Sequence, residues 1–149
     1  MPPTQQKDTQ LLSLVIALAG IALGIYIART FLKAGIFKLK GTKEQFAVAQ
    51  FGWAEKTPMG VIRLIGALEI LGAAGSVFAP LLALIPGFEW AKWVGVAAAA
   101  GLALTMVGAM IVHQSRGEAK YTFKMNAMLL LPAAAAAILD ALVVLPLTF

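Results

Sequence analysis

The sequence predicts an all-α integral membrane protein built as a bundle of four spanning helices. Of its 149 residues, 60% are hydrophobic and 13% are charged, whereas soluble domains are about half apolar and about a quarter charged. The apolar residues are gathered into four segments of about 20 residues, a length that crosses a hydrocarbon core of about 30 Å. We therefore predict one membrane domain over residues 1–149, with spans over residues 11–32, 60–85, 93–113 and 125–146.

The first two apolar runs each carry one charge. Arg29 alone interrupts the first apolar run, which is too long for a cleaved signal peptide and is therefore predicted to be an uncleaved span. In the second apolar run, from Leu64 to about Ile85, the only charge is Glu69. The start of the second span is predicted at Thr57 and Pro58, because threonine caps helices and proline suits the first helical position.

The third and fourth spans have their own punctuation. Trp93 opens the uncharged third span, as an aromatic anchor at a membrane interface does. Gly117 suits the end of that helix. The fourth span contains Pro132, which predicts a tolerated kink, and Asp140, which we expect to snorkel locally or to pair with Lys92.

The basic residues predict the orientation of the bundle. With four spans, both termini and the loop between the second and third spans share one side, which carries Lys7 and Lys92. The opposite side carries nine basic residues: Lys33, Lys38, Lys40, Lys43, Lys56, Arg63, Arg116, Lys120 and Lys124. By the positive-inside rule, the two basic loops, 1–2 and 3–4, are cytoplasmic and both termini lie outside.

Small residues recur every four positions in three of the spans. The longest row lies in the third span, and shorter pairs lie in the first and second: Ala97, Gly101, Thr105, Ala109 and His113; Gly20 and Gly24; Gly72 and Ser76. Such rows let helix backbones approach closely in lipid. We interpret them as packing faces without chemistry.

Glu69 is the residue that most needs a partner. It lies six residues beyond Arg63, about 9 Å deeper at 1.5 Å per residue, and an acid in lipid costs about 3 kcal/mol. It should therefore face the bundle interior and be either paired or protonated. Polar residues at the same membrane level on all four helices are its predicted companions: Arg29, Lys33, Lys38, His113 and Asn126.

This intramembrane polar cluster has three interpretations. It fixes the register of the helices, or it binds a ligand or handles protons, or Glu69 meets a partner subunit. The chain has no cysteine and one histidine, so thiolate chemistry and a bis-histidine haem are excluded. We also find no zinc set, no nucleophile triad and no phosphate loop, and thus predict no catalytic residue and no metal site.

Several motifs resemble the DoxX-like family of small bacterial membrane proteins. They are "FLKAGIFKL" in the first helix, "RLIGALEILGAAG" with Pro80 in the second, and "AAAGLALTMVGAMIVHQSRGE" in the third, with Asn126 opening the fourth. The resemblance runs from about Phe31 to about Leu131. Pro132 and a long basic loop from Lys40 to Lys56 depart from the family pattern.

The resemblance implies a four-helix bundle in a bacterial plasma membrane, beside a redox enzyme. The expected function is a non-catalytic accessory or assembly subunit of a respiratory or quinone-linked oxidoreductase complex, with no cofactor of its own. The expected partners are membrane lipid and a larger membrane complex, and no nucleic acid. The alternatives are a protein that binds a small molecule, either quinone or lipid, in the polar cluster, and a proton-coupled small transporter.

Overall fold

The computed structural model describes residues 3–49 and 51–147 and is all-helical over them. The helices are α1 (Pro3–Lys40), α2 (Lys43–Val48), α3 (Met59–Ala83), α4 (Ala91–Ser115) and α5 (Ala119–Leu142), with a 3-10 turn at Gly52–Ala54 between α2 and α3. The four long helices are each apolar enough to cross a membrane over Thr4–Lys40, Met59–Ala83, Ala91–Ser115 and Thr122–Leu142. The prediction of four helices long and apolar enough to span a membrane is therefore confirmed, while the topology and the side on which the termini lie stay predictions.

The helix ends follow the sequence signals in part. Gly117 follows α4 with a φ of +72°, and the amides of Gly117 and Glu118 donate to the carbonyls of Gln114 and His113, which is the Schellman ending that favours glycine. At the start of α3 the expected cap is wrong. Pro58 occupies the cap position, and the Thr57 hydroxyl donates back to the Trp53 carbonyl at 2.7 Å.

The four long helices form a closed ring of contacts. Helix α1 packs against α3 and α5, and α4 packs against the same two helices. The centre is filled by a core of eight buried apolar residues: Ile27, Ala28, Phe31, Ala73, Leu102, Ala103, Met106 and Ala133. Most of the large apolar residues that remain exposed lie along the outer faces of the four long helices, where a membrane would cover them.

Of the three small-residue rows predicted to be packing faces, only the two in α1 and α3 lie at helix–helix contacts along their whole length. A Cβ added at Gly20 would strike Asp140 and one at Gly24 would strike the backbone of Ser76, while Gly72 packs against Leu102. The long row of α4 is wrong as a packing face at Ala97 and Gly101, which are exposed, with open space around Gly101, although Ala109 of the same row packs against the core. Helix α4 instead turns a neighbouring stripe inward, composed of Ala91, Gly95, Ala99, Leu102, Ala103 and Met106.

The segment after α1 is folded, although the sequence suggested only a long basic loop. Helix α2 begins with a capping box, in which Thr42 and Gln45 exchange side-chain and backbone hydrogen bonds. The Lys43 ammonium then donates to the carbonyls of Ala54, Glu55 and Thr57. This lysine therefore ties α2 to the 3-10 turn and to the entry of α3.

Candidate functional site

The candidate site lies where α1 crosses α3. A Cβ at Gly35 would lie 2.6 Å from the carbonyl oxygen of Gly66, and one at Gly66 would lie 2.7 Å from the carbonyl oxygen of Gly35. The two backbones are thus in direct contact, as small residues permit in membrane helices. Lys38 and Glu69 each follow their glycine by three residues, so both side chains leave the crossing one turn later.

Lys38 and Glu69 form a two-pronged ion pair between these helices. The Lys38 Nζ atom donates to Oε1 of Glu69 at 2.8 Å and to Oε2 at 2.7 Å. The side chains are only 8% and 3% exposed, respectively. Charge-assisted bonds of this length are among the stronger ones in proteins, and here both carboxylate oxygens have a donor. Sequence reasoning named both residues, and the structure brings them together.

An aromatic cluster covers the same end of the bundle. Phe37, Phe46, Phe51 and Trp53 contact one another with ring centroids 5.2 to 6.3 Å apart. The Phe51 ring centroid lies 6.0 Å from the Lys38 Nζ atom, at the outer limit of a cation–π contact. The folded segment after α1 therefore places an apolar cover beside the ion pair.

His113 belongs to a second polar group at the turn between α4 and α5. Its Nδ1 lies 2.7 Å from Oε2 of Glu118, and the Arg116 Nε donates to Oε1 of the same carboxylate at 2.7 Å. The hydrogen bond from Arg116, followed by that from His113, lowers the pKa of the Glu118 carboxyl below its usual value. A Cβ at Gly52 would lie 2.7 Å from an Arg116 nitrogen, so this group also touches the 3-10 turn.

The remaining predicted companions do not join Glu69. The side chains of Arg29 and Lys33 are exposed, and neither takes part in an ion pair among the described residues. Asn126 is 2% exposed, but its Nδ2 has no hydrogen-bond partner. The predicted convergence of all these side chains on Glu69 is therefore wrong. Arg29 and Lys33 point outward because they lie on a different face of α1 from Gly35, whereas Lys38 lies one turn after Gly35.

Asp140 behaves differently from either expectation. It is 2% exposed, so it does not snorkel, and within the described chain neither of its carboxylate oxygens has a hydrogen-bond partner. Lys92 does not pair with it, because the Lys92 ammonium donates to the Val143 carbonyl at 2.8 Å. That carbonyl lies at the end of α5, where the helix dipole favours a cation.

Two features of the site escaped sequence reasoning. Gly35 was not recognised as the packing partner of Gly66, although the equal spacing of Gly35 to Lys38 and Gly66 to Glu69 is a signal that could have found it. Glu118 was not recognised as the partner of His113, because the bond depends on the Schellman turn that carries the chain back past the end of α4. No group of three or more metal-binding side chains occurs among the residues that were placed.

Comparison with known protein families identifies a match. A family model described as the DoxX-like family matches residues 21–136. This range contains the α1–α3 crossing, the ion pair, the His113 group and Asn126. No curated protein and no solved structure matches the chain.

Proposed function

Because the chain belongs to the DoxX-like family of membrane proteins, we propose that it is a non-catalytic accessory or assembly subunit of a larger membrane complex. The complex we propose is a respiratory or quinone-linked oxidoreductase in a bacterial plasma membrane. The observation that carries the proposal is the closed ion pair of Lys38 and Glu69. A bundle in which Lys38 neutralises Glu69 across α1 and α3 holds these two helices in a fixed arrangement that a partner can bind.

The environment of Glu69 supports a structural role for it. An acid that transfers protons or binds a substrate needs an open path to water or to a ligand. Glu69 is buried, and both of its carboxylate oxygens accept hydrogen bonds from Lys38. The aromatic cluster lies beside the Lys38 ammonium, with the Phe51 ring centroid 6.0 Å from Nζ. We infer that the pair holds α1 against α3, and that the chemistry of the complex resides in its other subunits.

The direct test is purification of the tagged protein from its native membrane in a mild detergent, followed by mass spectrometry of the co-purifying chains. We expect one larger redox complex to be recovered in constant proportion. An assembly factor would instead give no stable complex, but the abundance of the redox enzyme would fall when this chain is deleted. Recovery as a free monomer or homo-oligomer, with redox enzymes unchanged by deletion, would refute both forms of the proposal.

The alternatives from the sequence remain predictions with weaker support. A quinone or lipid bound in the cluster by Lys38 and His113 would need free donors, but both side chains already have acidic partners. Ligand retention that falls in Glu69→Gln and His113→Ala would favour such a site. A proton-coupled transporter would need an accessible Glu69, and substrate-dependent proton flux in liposomes would support it.

A further inference from the structure

An open groove lies between the end of α4 and the beginning of α5. Its volume is about 490 Å³, and most of its surface is apolar. Its lining includes Ile111 and Ser115 of α4 and Ala119, Thr122, Phe123 and Asn126 of α5. The groove therefore begins beside the basic α4–α5 loop and runs along the first turns of α5.

One lining group lacks a partner. The Ser115 and Thr122 hydroxyls donate to carbonyls of their own helices at 2.8 and 3.2 Å. The Nδ2 of Asn126 is buried and has no acceptor within the described chain. A side-chain amide nitrogen has two hydrogens to donate, and the hydrocarbon region supplies no water to accept them. An acceptor on a ligand bound in the groove would therefore satisfy this donor.

Two lysines adjoin the lining of the groove in the chain, since Lys120 follows Ala119 and Lys124 follows Phe123. Lys120 and Lys124 are exposed, and no ion pair involves either of them among the residues described. Arg116 differs, since Glu118 neutralises it. Asn126 follows Lys120 by six residues, which places it about 9 Å further along the helix at 1.5 Å per residue. A cation without an ion pair among the described residues thus follows a lining residue of the groove, fewer than two turns before the buried donor of Asn126.

We propose that this groove, the α4–α5 groove, binds one anionic phospholipid. The lipid phosphate lies at Lys120, a glycerol ester carbonyl accepts from Nδ2 of Asn126, and an acyl chain covers Ile111 and Phe123. Basic pockets between membrane helices bind anionic head groups in this way. A quinone would satisfy Asn126 but has no anionic group for Lys120, so the charge of this lysine favours the phospholipid. The inference does not depend on the proposed subunit role.

The test is native mass spectrometry of the delipidated full-length protein, titrated with phosphatidylglycerol, phosphatidylcholine or ubiquinone. We expect one phosphatidylglycerol to bind at least about tenfold more tightly than phosphatidylcholine, a difference of about 1.4 kcal/mol. Asn126→Leu should weaken phosphatidylglycerol by about three- to tenfold, as expected for one hydrogen bond. Lys120→Gln should reduce the preference over phosphatidylcholine. The matched control is Lys33→Gln, which removes an exposed cation from α1. It should change neither the affinity for phosphatidylglycerol nor the preference over phosphatidylcholine.

The stability of Asn126→Leu without lipid separates a ligand site from a structural role. A donor that serves a ligand can be lost from the lipid-free protein at no cost, so the variant should unfold at the same or a higher temperature than the wild type. Ile111→Trp, which fills the groove from the opposite wall, should also abolish binding of the lipid. Equal binding of the two phospholipids, displacement of phosphatidylglycerol by ubiquinone, or full affinity in Asn126→Leu would each overturn the inference.

Discussion

Removal of one member of the intramembrane ion pair should destabilise the bundle strongly, and removal of both should not. Lys38→Met leaves the Glu69 carboxylate alone, and Glu69→Gln leaves the Lys38 ammonium facing a neutral amide. The pair has two bonds of 2.7 and 2.8 Å, and its side chains are 8% and 3% exposed, so water cannot replace either partner. Breaking a buried pair costs about 3–5 kcal/mol, and we expect each single variant to lose about that much.

The double variant is the informative one. It removes both charges from a layer in which each costs about 3 kcal/mol to insert, so its free energy of unfolding should lie above that of either single variant. Reversible unfolding in lipid–detergent micelles measures all four proteins of the cycle. Lys33→Met on the same helix, exposed and without an ion pair in the described chain, is the control and should lie within about 0.5 kcal/mol of the wild type. Losses that simply add in the double variant would show that the two groups are not coupled and would refute this reasoning.

Three further outcomes follow from the structure. Gly66→Ala should lower the free energy of unfolding by about 1–3 kcal/mol, because its Cβ would lie 2.7 Å from a backbone oxygen of α1. Gly101→Ala, where the new Cβ meets open space, should be neutral or stabilising by up to about 1 kcal/mol. Equal losses of stability in the two variants on thermal unfolding would contradict this packing. The pKa of Glu118 is lowered in the folded state. Its contribution to the free energy of unfolding is therefore complete above the usual carboxyl pKa and is lost as the pH falls through the lowered pKa. Parallel melting profiles of the wild type and Glu118→Gln between pH 3 and 6 would argue against this contribution. Lys43→Met should speed amide hydrogen exchange in the turn before α3, since three carbonyls lose their donor. The control variant Lys40→Met should leave this exchange unchanged. Exchange that is unchanged in both variants would show that Lys43 does not hold the turn in place.

The four spans were predictable because their signal is local: a membrane helix satisfies its own backbone, so length and hydropathy suffice to find it. The Lys38–Glu69 pair was predictable in part, since a buried acid requires a cation from a neighbouring helix. The choice among Arg29, Lys33 and Lys38 was not, because it depends on the rotation of α1 about its axis. That rotation is set by the contact of Gly35 with Gly66, which joins residues far apart in the chain.

The same limit explains the other differences. On α4 the row through Gly101 has the spacing of a packing face, but the neighbouring stripe through Ala99 and Leu102 faces the core. On a helix that is apolar all round, the spacing of small residues does not show which of two stripes faces the core. The fold of the segment after α1 rests on Lys43 reaching carbonyls 11 to 14 residues away. Such tertiary bonds leave no periodic signal in a sequence.

The central claim is that the charge of Glu69 is neutralised within the chain by Lys38. Solid-state NMR of the protein in lipid bilayers, with ¹⁵Nζ-lysine and ¹³Cδ-glutamate labels, measures this directly through the ammonium–carboxylate dipolar coupling. Among the described residues this is the one ion pair between a lysine and an acidic side chain, so the coupling can be assigned. We predict a strong coupling in the wild type that is absent in Glu69→Gln. No coupling in the wild type, or one that persists in the variant, would contradict the account.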